Sequence, residues 1–122
     1  MNYFNLIYTV IIMTVNESKF IIQKLIKYSM EELEMAEHYQ KMMAHMEDSS
    51  AFSKFKEFAN QELTHHEYDL STAMAMAQKL KDENEIADVD EFINGIYKQN
   101  QTHWKEKIVW KIANAKPKPL VK

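Results

Sequence analysis

The chain has 122 residues, a formal charge of −3 and no cysteine. Its length predicts one domain with a modest core. The missing cysteines exclude disulfides, thiolate metal sites and cysteine nucleophiles, and fit a reducing, cytoplasmic setting. Charge is mixed along the chain with no basic stripe, which argues against a nucleic-acid partner. There is one glycine, and the two prolines fall at 117 and 119. Nothing before Ala115 therefore breaks a helix strongly, and the expected fold class is all-α.

Three units are expected in chain order: an apolar extension (1–13), a helical domain (14–114) and a basic, proline-containing tail (115–122). The opening run MNYFNLIYTVIIM is too short to span a bilayer. It lacks a signal peptide's basic start and cleavage site, and has no cationic face for a membrane-surface anchor. A membrane-surface anchor stays open, but two readings are favoured, a strap over the bundle or an over-long start with Met13 as the initiator. Thr14-Val-Asn-Glu17 is a capping box that starts helix 1. That helix is expected to reach about Glu47, roughly 30 residues and ~45 Å at the helical rise. Glu47-Asp48-Ser49-Ser50 is the natural turn, with Ser49 or Ser50 as the N-cap of a second helix running to about Lys81. The polar run Asp82-Glu-Asn-Glu85 interrupts the pattern. A second capping box, Asp88-Val-Asp-Glu91, opens helix 3, whose apolar positions include Phe92, Ile96, Trp104, Ile108 and Ile112. Gly95 marks a bend there. The tail reads as disordered.

The chemistry lies on the first two helices. In helix 1, Ile22, Leu25, Ser29, Glu32, Ala36, Tyr39, Met43 and Met46 alternate by three and four, the period of a stripe that packs on a partner helix. In helix 2 the stripe is Phe52, Phe55, Ala59, Glu62, His66, Ala73, Met76 and Leu80, with Phe58 and His65 on its flank. Each seam carries one carboxylate among apolar residues. In an antiparallel hairpin with a short turn, facing residues have numbers summing to about 97. Glu32 is then level with His65, and Tyr39 with Phe58, while Glu62 shares a face with His65 at i and i+3.

A buried carboxylate without compensation costs several kcal/mol or stays protonated. A metal ion removes that problem, and helix-bundle di-iron and di-manganese sites combine single Glu residues with Glu-x-x-His pairs. One hairpin supplies half of such a set. Helix 3 offers only His103 and Glu106 in reversed order, so the other half is expected from a second copy across a twofold axis. About four negative charges from two chains would then match two divalent ions. The alternative is a metal-free helical-bundle interaction protein whose acids are solvated or paired with His66. His38 and His45 read as a solvated flank. Met42, Met43, Met46, Met74 and Met76 read as core filling rather than a copper site.

The segments EELEMAEHY (31 to 39) and ELTHH (62 to 66) resemble the ferritin-like superfamily, most closely the encapsulated ferritins, over about residues 25 to 80. That resemblance implies a four-helix bundle completed by dimerisation, with iron bound and Fe(II) oxidised between two subunits. It would make Glu32, Glu62 and His65 iron ligands, with Tyr39 as a hydrogen-bonding or coordinating neighbour. Glu31 and Glu34 would be an entry site. His66, by its place on the seam, reads either as a group behind the ligands or as a satisfied core histidine. Manganese is the alternative metal, and a larger homo-oligomer inside a protein shell is the implied assembly. The chain departs from the family pattern at Gln61, often an acid, and at His66, often alanine.

Overall fold

A computed structural model of the chain describes residues 14–84 and 102–119. Those residues form three α-helices and no strand: α1 (Val15–Met43), α2 (Ser49–Asn84) and α3 (Thr102–Ala113). The expectations for residues 1–13, for the capping box Asp88–Glu91, and for Phe92, Gly95 and Ile96 lie outside the described residues.

Helix α1 begins at the predicted cap. Thr14 is extended (φ −68°, ψ 161°) and its hydroxyl accepts from the Glu17 amide at 3.2 Å. Glu17 reaches back to the same hydroxyl, which donates to its carboxylate at 2.8 Å. The helix ends at Met43, before the expected Glu47. Its last turn tightens as His45 N–H donates to Met42 O and Met46 N–H to Met43 O, each at 3.1 Å. Such i→i+3 bonds satisfy terminal carbonyls while reversing the chain. The cap of α2 is Asp48, not Ser49 or Ser50: its Oδ1 accepts from Ser50 N–H at 2.7 Å and Ala51 N–H at 3.2 Å. A carboxylate there also complements the positive end of the helix dipole, an advantage no serine has.

The two long helices pack close to the predicted seams. Helix α1 buries Ile22, Ser29, Ala36 and Met43 as expected. Ile26 and Leu33 are buried where Leu25 and Glu32 were expected, and those two are only half-buried. Toward the open end of the hairpin, Ile22 and Ile26 bury against Ala73, Met76, Ala77 and Leu80. Nearer the bend, Leu33 and Ala36 meet Ala59, and α3 lays Ile108 and Ile112 over them. Tyr39 and Phe58 face each other with ring centroids 5.5 Å apart, and Phe55 completes the aromatic cluster at 5.9 Å from Tyr39. The hairpin register is thus the one expected from the turn.

Helix α3 is tied down by polar contacts as well. Trp104 Nε1–H donates to Glu37 Oε2 at 2.7 Å, and Lys105 pairs with Glu67 on α2. Beyond α3 the chain loses helical form and returns to the hairpin bend. Lys118 N–H donates to Met46 O at 2.8 Å, so this part of the tail is held where composition alone predicts disorder. The methionine expectation needs correcting in part. Met43 and Met76 are core, but Met42 and Met74 are 41% and 48% exposed. Each sits next to a seam position, and one residue's rotation of ~100° carries a side chain off a narrow stripe. Among the described residues no helix is long and apolar enough to cross a membrane.

Candidate metal centre

The hairpin register brings three predicted residues together. Ligand-capable atoms of Glu32 on α1 and of Glu62 and His65 on α2 all lie within 4.8 Å of one another. Both glutamates are half-buried and His65 is exposed, so the cluster opens at the surface of the hairpin. Helical spacing explains the grouping on α2, because residues three apart stack on one face. The 97-sum register explains Glu32.

The electrostatics of Glu32 are unusual for a helix carboxylate. Its pKa is pushed from an ordinary 4.5 up to about 8, first by burial, then by contact with the Asp69 carboxyl, then by the negative charges of Asp69, Glu62 and Glu31. The Glu32–Asp69 contact is a hydrogen bond only while one of the two acids holds a proton. Glu32 Oε2 is sealed from solvent and has no hydrogen-bond partner among the described residues. A carboxyl in that position either keeps a proton or awaits a cation.

Asp69 is the residue that the sequence reading missed. It stands four residues beyond His65 and seven beyond Glu62, so it continues their face of α2 by two helical steps. The signal was legible in principle, as Glu62-x-x-His65-x-x-x-Asp69, but Asp69 falls between the apolar seam positions His66 and Ala73.

His66 is fully buried, and its Nδ1–H donates to the Ser29 carbonyl at 2.6 Å. Burial holds its pKa below the ordinary histidine value, against the opposing effect of that hydrogen bond. The ring is therefore a neutral core strut joining α2 to α1 one turn before Glu32. Tyr39 packs in the aromatic cluster with Phe55 and Phe58. Glu31 and Glu34 are exposed. They line a groove of about 470 Å³ beside Lys27, Met30 and Trp104, and Glu34 meets His38 at 3.8 Å. On α3, His103 and Glu106 are exposed and stand apart from the cluster.

The face carrying the cluster is the one that α3 leaves uncovered. Leu33, under α3, is one residue on from Glu32 and ~100° round the helix, whereas Met35 is ~60° round the other way. On this side Ile21, Leu25, Tyr28, Glu32, Met35, Tyr39, Met42 and Met46 alternate by four and three, a second seam beside the first. Tyr28, Met35 and Met42 are 48%, 39% and 41% exposed. Across the groove on α2, Phe58, His65 and Asp69 take the matching positions. Large apolar side chains at heptad spacing on an exposed face are an interaction signature.

Compared with known proteins, the chain matches no protein-family model, no curated sequence and no solved structure. The functional reading therefore stands on the chain's own chemistry.

Proposed function

We propose that two copies of this chain pair through the uncovered face, as a ferritin-like four-helix bundle, and bind two iron ions between them. The observation that carries this is the convergence of Glu32, Glu62 and His65 within 4.8 Å inside an exposed apolar seam. Two carboxylates and one imidazole are a donor set suited to iron or manganese in the divalent state. In this reading Glu32 and Glu62 hold the ions and neutralise their charge, and His65 supplies the nitrogen donor. Tyr28 and Met35, buried by the partner copy, keep bulk water from the site. Glu31, whose charge reaches Glu32, draws cations toward it, whereas Glu34 lies in the groove beside Trp104.

Fe(II) is the substrate of the accompanying reaction. Each of two Fe(II) ions gives up one electron, and dioxygen takes both with two protons and leaves as hydrogen peroxide. If peroxide is the oxidant instead, the same two electrons and two protons convert it to two waters. The protein's part is to hold the ions together and to accept the rise in their charge, which anionic carboxylates favour.

Anaerobic titration with Fe(II), followed by sedimentation and then by exposure to oxygen, tests the proposal. The expected outcome is one Fe(II) per chain, a shift toward dimer or larger assemblies on loading, and a ferric absorbance on oxidation. A chain that self-associates equally with and without iron, and binds none, would instead be a metal-free interaction module. The exposed Tyr28–Met35–Met42 stripe alone could serve that role.

A further inference from the structure

The proposed donor set makes no use of His66, which follows His65 in the chain and is fully buried. Its Nδ1 stands 2.6 Å from the Ser29 carbonyl. A carbonyl can only accept, so Nδ1 carries the proton. That oxygen has two lone pairs, and can take the imidazole without giving up a helical bond. Ser29 is itself buried and small, and its hydroxyl turns away to donate to Ile26 O at 2.7 Å. Packing alone does not call for a histidine here, because an apolar side chain would fill the seam without taking a polar ring out of water. The place of the bond is more telling. Ser29 is three residues before Glu32 on α1, and His66 is four after Glu62 on α2. The bond therefore joins the two helices about one turn from each of the three donors.

We infer, resting on the metal-binding reading above, that His66 is a positioning residue of the metal centre. It fixes the gap between α1 and α2 across which Glu32 must meet Glu62 and His65. To take a metal both glutamates must be ionised, with ligand atoms within 4.8 Å of one another, and like charges at that range push the helices apart. The neighbouring packing of Ile22 and Ile26 on Ala73 and Met76 is apolar, and apolar contact is non-directional. A hydrogen bond to a backbone carbonyl has a set length and direction. The donors are thus held at their working distance before the ion arrives, and binding need not first close the hairpin.

Mn(II) binding tests this apart from catalysis. The metal is titrated into the full-length wild type and into variants at position 66, with free Mn(II) read by its electron paramagnetic resonance signal. His66→Asn can place an amide N–H where Nδ1–H stood, whereas His66→Gln carries the same amide one methylene further out. His66→Leu fills the seam with no donor. The expected result is near wild-type affinity in His66→Asn and a loss of about 10-fold or more in His66→Gln and His66→Leu. The visible spectrum at saturating Co(II) should shift in the same two variants, because the ligand geometry changes. A merely structural role would not split two amides that differ in reach alone, and that pair decides the matter even where His66→Leu fails to fold. Wild-type affinity in His66→Gln, or an equal loss in His66→Asn, would overturn the positioning role while leaving the metal centre standing. No binding by wild type would end the metal reading and this inference with it.

Discussion

Glu32 and Glu37 stand five residues apart on the same helix, and the fold treats them in opposite ways. Glu37 accepts the Trp104 indole N–H and meets Lys41 at 3.4 Å. Chiefly because of that indole hydrogen bond, its pKa lies below the ordinary value. Glu32 is surrounded by Asp69, Glu62 and Glu31, and its pKa rises to about 8. The same contrast holds for the two faces of the hairpin. The Glu37 side is closed within the chain by Ile108, Ile112 and Trp104 on α3. Among the described residues, no cation is paired with the carboxylates on the Glu32 side, and Tyr28, Met35 and Met42 are exposed there.

The sharpest way to break the comparison is Glu32→Ala. On the metal-centre reading it abolishes iron binding and oxidation. Above about pH 8, where Glu32 is ionised, it also stabilises the metal-free protein by about 1 kcal/mol, because an apolar methyl replaces a poorly solvated carboxylate. Thermal melts of the apo protein beside an iron-oxidation assay decide it. Destabilisation together with retained oxidation would make Glu32 a structural acid like Glu37.

Met42→Asp separates the uncovered face from the site itself, since Met42 lies ~15 Å along α1 from Glu32. Self-association should weaken by about 10-fold or more, while the monomer's stability stays within about 0.5 kcal/mol, as expected for an exposed position. Sedimentation across a concentration series reads the first quantity and melts read the second. Unchanged association would remove this face from the interface.

Glu37→Ala should give the mirror image of Glu32→Ala. It leaves the Trp104 indole without its charged acceptor and costs about 1–2 kcal/mol, with metal affinity unaltered. A stabilised Glu37→Ala variant would erase the difference between the two glutamates.

The smallest effect is in pH dependence. The folded chain keeps the Glu32 proton up to about pH 8, whereas the unfolded chain releases it near the ordinary value of 4.5. Between those values the folded state binds more protons, so its stability falls as pH rises. The contribution is complete below pH 4.5 and is lost as pH passes 8. Bound metal competes with the same proton, so metal affinity should rise over that window. Apo melts from pH 5 to 9 in wild type and Glu32→Ala isolate this slope, which should be absent from the variant.

Much of this was determined by the sequence alone, because helical periodicity and turn chemistry are local properties. The all-α class follows from the missing helix breakers. The cap at Thr14, the seams around Ile22 and Met76, and the hairpin register that levels Glu32 with His65 all follow from residue spacing. What only the tertiary structure decided depends on which side of each helix meets another element. Asp69 acts on the Glu32 carboxyl because the packing of α1 on α2 brings the two acids near each other, a fact about two helices that spacing within one does not contain. Met42 was left in solvent and Leu33 was covered because α3 chose one face of the hairpin. The Trp104–Glu37 bond spans 67 positions along the chain, and it gives one glutamate a partner that the other lacks.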